Sequence, residues 1–211
     1  MADVPFPGKG AITYKTTTMN RGSLFAGILI GLGAYGYLAL GGIPGAVIFA
    51  FGLMGVIYFG VPLYTGKAGV TNDIPGLVMI WLFNIIGCAI LGLAALYLGG
   101  EPQARATTMV ASRIAGGPIA ALVRSIGCGL IIDCVVYLSK TKSTMLPVLF
   151  GVPLFIVCGF YHSIADVVYL VAAGTWDAGI LWYYPIIVIG NYIGCNVRRV
   201  TLPEEFLPKT K

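Results

Sequence analysis

The stretch MLPVLFGVPLFIVCGFYHSIADVVYLVAA, residues 145–173, decides the fold class. It is apolar towards both ends but carries Tyr161, His162, Ser163 and Asp166 near its middle. A membrane crossing needs about 20 mostly apolar residues, so this stretch is too long for one uninterrupted span. Its polar middle would be costly against lipid and must face protein or a water-filled path. The stretch therefore predicts a transmembrane helix that is interrupted at its centre.

The composition of the chain agrees with a membrane protein. Of its 211 residues, 58% are hydrophobic and 10% are charged, whereas soluble domains carry about 25% charged residues. The net charge of +5 does not indicate a nucleic-acid partner, because no soluble basic face carries it. The five cysteines lie in apolar stretches without a CxxC pair, and a single histidine excludes a bis-histidine haem within one subunit. We predict no metal and no cofactor.

Five further apolar runs predict a single all-α membrane domain, residues 1–211, with six spans. Their approximate bounds are 23–40, 45–64, 76–98, 119–138, 145–173 and 179–197. An even number of spans places both termini on one side. That side carries ten basic residues, Lys9, Lys15, Arg21, Lys67, Lys140, Lys142, Arg198, Arg199, Lys209 and Lys211, while the other carries Arg105 and Arg113. The asymmetry predicts cytoplasmic termini.

The second predicted span also contains a break. Pro62 removes an amide donor and clashes with the preceding turn, so the helix should be interrupted there. The interrupted spans are then the second of the first three and the second of the last three. This placement is typical of an inverted repeat whose broken helices meet near the middle of the membrane.

The same residues resemble the formate/nitrite transporter family. The specific match is Gly159-Phe160-Tyr161-His162-Ser163-Ile164-Ala165 around the single histidine. Weaker matches are the broken second helix, residues 49–66, and the asparagine-glycine patterns at residues 84–87 and 190–194. The resemblance covers about residues 23–197. It implies an aquaporin-like protomer with its own pore, in a homopentamer.

The resemblance also implies the residues of the pore. His162 would be the pore histidine, Thr65 its hydroxyl partner and Asn191 a polar group from the sixth helix. Apolar constrictions are expected at Leu53 and Phe49 towards one vestibule, and at Leu63 and Phe155 towards the other. Arg113 stands at the outer mouth, where the family usually has lysine, and Lys67 lies near the inner vestibule.

These residues predict a channel or transporter for small monovalent anions such as formate, nitrite or hydrosulfide. An anion crossing an apolar constriction loses hydration, and His162 with Thr65 could meet it there as donors. Histidine could also lend a proton, so that the species crosses as a neutral acid and protons become a second partner. Asp166 could be a counter-charge to His162 or could bind backbone at the break. Arg124 could reach the interface or bind carbonyls at a subunit seam, and the role of Asp133 is left open.

Two other functions are compatible with the sequence. A pore for neutral solutes would use His162 only as a structural donor. A membrane anchor of a redox complex is disfavoured by the lone histidine and the absence of cysteine motifs. We predict no enzymatic activity. The expected location is the plasma membrane, as a multi-pass protein of a prokaryotic inner membrane.

Overall fold

Helices make up nearly all of the part of the chain that the computed structural model describes, residues 16–203. In chain order they are α1 (Thr16–Leu40), α2 (Gly42–Tyr58), α3 (Tyr64–Lys67), α4 (Ile74–Leu98), α5 (Gly100–Ala115), α6 (Gly117–Lys142), α7 (Leu146–Val157), α8 (Ser163–Ala173) and α9 (Ile180–Thr201). The predicted all-α class is confirmed, and no strand occurs within residues 16–203. Lys9, Lys15, Lys209 and Lys211, which contribute to the predicted topology, lie outside these residues.

Within residues 16–203, four helices are long and apolar enough to cross a membrane: α1, α4, α6 and α9. The apolar helices α2, α7 and α8 are shorter. They correspond to the two spans for which the sequence predicts interruptions. One of these spans divides into α2 and the single turn α3, and the other divides into α7 and α8. The count of six crossings therefore stays a prediction.

The two interruptions have the same local geometry. The first break, residues 59–63, separates α2 from α3, and the second break, residues 158–162, separates α7 from α8. Gly60 has a φ of 65° and Gly159 a φ of 67°. Residues with a Cβ rarely adopt this left-handed backbone conformation, so a glycine permits each chain reversal out of the preceding helix.

Two local predictions need correction. The turn predicted at residues 41–44 is shorter, because only Gly41 separates α1 from α2. Pro44 lies in the first turn of α2, where the backbone amides have no partner within the helix and a missing N–H costs little. The segment between the third and fourth predicted spans contains the amphipathic helix α5, which the sequence analysis does not predict. Its Ala106 and Val110 are buried.

The helices pack so that the two breaks meet inside the protein. Helix α1 packs most extensively on α4 and α2, and α6 packs on α9. Helix α8 lies against α4 and α5, while α2 packs on α7. One large apolar cluster joins most of these helices. The arrangement encloses Thr65 after the first break and His162 at the end of the second.

Candidate functional site

The two breaks contact each other through Thr65 and His162. The Thr65 hydroxyl oxygen lies 3.1 Å from Nε2 of His162, although the residues are 97 positions apart in sequence. Thr65 is fully buried and His162 is 3% exposed. The structure thus brings together the histidine and the hydroxyl that the family resemblance pairs.

The hydrogen bond made by Nδ1, the other ring nitrogen of His162, determines which nitrogen carries the proton. Nδ1 accepts a hydrogen bond from the backbone amide of Ala165 at 3.1 Å and so caps α8. A neutral imidazole has one donor and one acceptor nitrogen, so Nε2 carries the proton and donates to Thr65. The hydroxyl proton of Thr65 is left without a hydrogen-bond acceptor among residues 16–203. The site therefore holds one donor that is unused.

Asn84 braces the first break and Asn191 braces the second, each through three hydrogen bonds to backbone. Asn84 accepts from the amide of Tyr64 at 2.8 Å and donates to the carbonyls of Ser23 and Pro62. Asn191 accepts from the amide of Ser163 at 2.8 Å and donates to the carbonyls of Ser125 and Tyr161.

Both asparagine side chains are fully buried. Asn191 lies at the predicted site, but both of its amide protons are already bound to carbonyl oxygens. Its predicted role as a pore group stays a prediction, whereas its contacts hold the backbone of the second break.

The four apolar side chains expected at the constrictions are all at least 97% buried: Phe49, Leu53, Leu63 and Phe155. Phe49 and Phe155 meet edge to face with ring centroids 5.7 Å apart, and Phe155 lies 6.0 Å from the His162 ring. Leu53 is one turn further along α2 than Phe49.

Leu63 and Phe155, which the family resemblance places towards the same vestibule, line different cavities. Phe155 borders the larger cavity described below and contacts Phe49. Leu63 borders a smaller cavity on the α3 side. Sequence motifs do not reveal this, since it is the packing of α2 on α7 that brings Phe49 next to Phe155.

A cavity of about 190 Å³, the α5 chamber, reaches His162 from one side. Its lining consists of Tyr37, Met109, Ser112, Arg113, Arg124, Phe155, Ile156, Gly159, Phe160, Tyr161, His162, Ala165, Asp166 and Tyr169. A second cavity of about 780 Å³ continues from it towards Arg105 and shares the walls formed by Tyr37, Met109 and Ser112. The α5 chamber is therefore an approach to the histidine.

The α5 chamber contains a buried ion pair. Arg113 donates to one carboxylate oxygen of Asp166, and the Tyr183 hydroxyl donates to the other. The Arg113 guanidinium also lies over two aromatic rings, 4.6 Å from the centroid of Tyr161 and 5.0 Å from that of Tyr169. The predicted charged group of the mouth is thus present, but its charge is offset by a carboxylate.

Arg124 binds the second break through its side chain and its backbone. Its side chain donates to the carbonyl of Gly159 at 3.3 Å, and its own carbonyl accepts from the amide of Tyr161. Of the two roles left open by the sequence, carbonyl binding is observed. The partner is a carbonyl of the same chain.

A much smaller cavity, the α3 pocket, lies beside the short helix after the first break. Its volume is about 10 Å³, and it is lined by Val56, Ile57, Val61, Leu63, Gly66, Lys67, Val136 and Lys140. Lys67 lies there as expected from its place after the short α3. No acidic side chain within residues 16–203 forms a salt bridge with Lys67 or Lys140. The two cavities therefore differ in volume and in charge pairing, and His162 lines the α5 chamber but not the α3 pocket.

Asp133 belongs to neither cavity. Its carboxylate forms a salt bridge with Arg198, with a closest distance of 2.5 Å. The nine-residue spacing from Arg124 already argues against an intrahelical pair with that residue, and the structure supplies the partner from α9. This second buried ion pair connects α6 to α9.

The sequence did not predict the partners of Asp166. Neither of its open alternatives names Arg113 or Tyr183 as the partner of Asp166. The spacing of Ala106, Val110 and Arg113 on α5 is a signal for their common face, because residues at i, i+4 and i+7 lie together on a helix. The contact itself needs tertiary packing, since Arg113 and Asp166 are 53 positions apart.

Comparison with known proteins agrees with this geometry. The sequence model described as "Formate/nitrite transporter" matches residues 7–202. The chain belongs to the formate/nitrite transporter family. No curated protein matches its sequence.

Solved structures share the fold of this formate/nitrite transporter family member. One is a "Pentameric formate channel with formate bound", with a TM-score of 0.75, 16% identity, and coverage of 88% of this chain and 94% of that chain. Another is an "FNT family ion channel", with a TM-score of 0.74, 18% identity, and 86% of each chain covered. At these identities the likeness establishes the fold alone. The predicted resemblance and the multi-pass membrane character are confirmed.

Proposed function

We propose that this protein is a membrane channel or transporter for small monovalent anions of the formate, nitrite or hydrosulfide type. The observation that carries the proposal is the buried Thr65–His162 pair. His162 lines the α5 chamber, and the neighbours of Thr65 in the sequence, Leu63 and Gly66, line the α3 pocket. The family membership supports a transport function. The unused hydroxyl proton of Thr65 is a donor that an anion could accept.

The proposed pathway begins in the α5 chamber. Its charged lining consists of Arg113 and Arg124, which contribute +2, and Asp166, which contributes −1, so the net charge is +1 with a neutral His162. A net positive charge in a partly enclosed cleft concentrates anions. The anion then passes Phe155 and Phe49, loses water, and meets Thr65, while the N-terminal end of α8 adds a favourable dipole. It leaves past Leu53 and Leu63 towards Lys67.

His162 is proposed to lend a proton to the anion in the constriction. A neutral imidazole is too weak an acid to give up its last proton, so the proton donor is His162 protonated on both ring nitrogens. It releases a proton from Nε2 through the Thr65 hydroxyl to an anion bound there and returns to the neutral form. A neutral acid crosses an apolar zone at a much lower desolvation cost than an ion. The chain's own part is to orient Nε2 towards Thr65, with Nδ1 as the cap of α8 in the neutral form.

The proposal includes the assembly and the topology. The six crossings and the inverted repeat are supported by the matched breaks and by the matched asparagine braces. A homopentamer, as in the pentameric formate channel with the similar fold, is proposed for this chain too. We place the protein in the plasma membrane of a prokaryote, in contact with the lipid bilayer, with both termini cytoplasmic and no enzymatic activity.

A pore for neutral solutes is the second candidate, and one observation favours it. Both ring nitrogens of His162 already have hydrogen-bond partners, as expected for a structural donor. Proteoliposomes that contain the purified protein separate the two functions. Uptake of formate, nitrite or hydrosulfide above that of empty liposomes supports the anion channel. Permeation of water or glycerol without any of these anions would support the neutral pore and overturn the first proposal.

A further inference from the structure

Asp166 stands out among the charged residues of the α5 chamber. It is 1% exposed, lies one helical turn beyond His162 and borders the chamber itself. Its two carboxylate oxygens accept from Arg113 and from Tyr183. A carboxylate is an unexpected group on the approach of an anion, because it repels the ion that the neighbouring arginines attract.

We propose that Asp166 is a specificity-determining residue, which lowers the net charge of the α5 chamber to that of a single cation. The chamber then balances one monovalent anion and releases it to the constriction. The inference deepens the proposed function and rests on it, since it takes a monovalent anion as the transported species.

The contacts of Arg113 explain how the carboxylate can offset its charge without removing it as a donor. A guanidinium has five N–H groups, and the contact with Asp166 uses Nη1. The rings of Tyr161 and Tyr169 hold the guanidinium in place. Arg113 can therefore still donate to a passing anion while the pair as a whole is neutral.

Without the carboxylate, the chamber would carry a charge of +2 from Arg113 and Arg124. Coulomb attraction is much stronger in a partly buried site than in bulk water. A divalent anion would then be balanced by the two arginines and would be held in front of His162. A monovalent anion would be held more tightly and released more slowly.

The matched control is the second buried ion pair, Asp133–Arg198. It has a similar contact and Asp133 is 5% exposed, but neither residue borders the α5 chamber or the α3 pocket. A general effect of breaking a buried ion pair should therefore appear in Asp133→Asn as well. An effect of the chamber's charge should appear only in Asp166→Asn.

The test measures the affinity of the full-length, detergent-purified protein for sulfate and for formate, from the rise in melting temperature with ligand concentration. Asp166→Asn should raise the affinity for sulfate at least about tenfold, the scale of one added unit charge at a partly desolvated site. Asp133→Asn should leave it unchanged. The double variant Arg113→Gln/Asp166→Asn has a net charge of +1 again and should bind sulfate as weakly as the wild type.

An unchanged sulfate affinity in Asp166→Asn, or an equal change in Asp133→Asn, would overturn the inference. If Asp166→Asn does not fold, Arg113→Gln is compared with the double variant. The single substitution lowers the chamber's charge to zero and should weaken formate binding, which the double variant should restore. Equal formate affinities in these two variants would contradict the proposal.

Liposome flux separates this inference from the proposed function. A wild-type protein that conducts no monovalent anion contradicts the function, whatever the binding data show. In a conducting protein, external sulfate should inhibit formate flux through Asp166→Asn and leave flux through the wild type and Asp133→Asn unchanged. Equal inhibition of all three would count against the role of Asp166.

Discussion

The two breaks share the same backbone features but differ in the side chains and cavities beside them. Each has a glycine in the left-handed region, an asparagine from a long helix that binds three backbone groups, and a short helix after it. The second break continues into α8, of 11 residues, and faces a chamber with a compensated ion pair. The first break continues into α3, of four residues, and faces a narrow pocket with two lysines.

This comparison separates the features that fix the backbone from the side chains that could act on an anion. The shared features bind backbone and determine where the chain turns. The features that differ are side chains that face a cavity, namely Lys67 on one side and the Arg113–Asp166 pair on the other. We therefore expect changes to the shared features to lower stability at both breaks alike, and changes to the differing features to alter transport from one side.

The largest effect is expected from the asparagine braces. Asn84→Leu and Asn191→Leu each remove three hydrogen bonds to backbone, two of them to groups at the break itself. The loss should be about 2 kcal/mol or more, because each buried group left unsatisfied costs about 1–3 kcal/mol. The yield of monodisperse protein and its melting temperature in detergent measure the effect.

Asn196→Leu is the control for the braces, since its amide donates to Ala68 and Tyr192 and binds neither break. It should be clearly milder than the other two substitutions. If only one of Asn84→Leu and Asn191→Leu lowers the yield and the melting temperature, the two breaks are not stabilised in the same way.

A smaller effect is expected from the two glycines. Gly60→Ala and Gly159→Ala place a Cβ on a left-handed backbone and should each cost about 1–2 kcal/mol. Gly116→Ala is the control, because its φ of −66° is helical and an added Cβ would meet only ordinary contacts. Thermal unfolding of the three variants gives the comparison. Destabilisation by Gly116→Ala equal to that of the other two would remove the argument from backbone conformation.

The smallest effect is expected at the α3 pocket. Lys67→Gln removes a charge that has no salt-bridge partner within residues 16–203. Anion flux at low ionic strength should fall about two- to fivefold, consistent with the roughly 0.5–1 kcal/mol of a partly exposed charge. The reduction should shrink in added salt, because counterions screen such charges.

Lys142→Gln tests whether that loss depends on the pocket. Lys142 is exposed at the same end of α6 as Lys140, but it does not border the α3 pocket. Its flux should match that of the wild type at every salt concentration. A salt-independent loss in Lys67→Gln, or an equal loss in Lys142→Gln, would argue against an electrostatic role of the pocket.

The sequence predicts where the two helices are interrupted, but it predicts much less of which side chains contact each other. Pro62 and the polar residues around His162 mark the two breaks because proline and unpaired polar groups are incompatible with a continuous helix in lipid. Thr65 was paired with His162 only through the family resemblance. No local pattern relates two residues that are 97 positions apart.

The sequence alone does not predict which residues form the two ion pairs. Asp166 has Arg113 as its partner, from a helix that the sequence analysis does not predict, and Asp133 has Arg198, which directly follows the sixth predicted span. Such contacts depend on which helix faces are in register, and the hydropathy of each span contains no information on that. The same limit explains why the sequence does not reveal the contact between Phe49 and Phe155.

The pH dependence of anion uptake in His162→Asn tests the central claim most directly. Asparagine can accept the hydrogen bond from Ala165 and keep α8 capped, but it cannot lend a proton. Wild-type proteoliposomes should take up formate or nitrite in a pH-dependent manner, and the variant should lose most of this uptake while keeping its melting temperature. Unchanged, equally pH-dependent uptake by a folded His162→Asn protein would contradict the account.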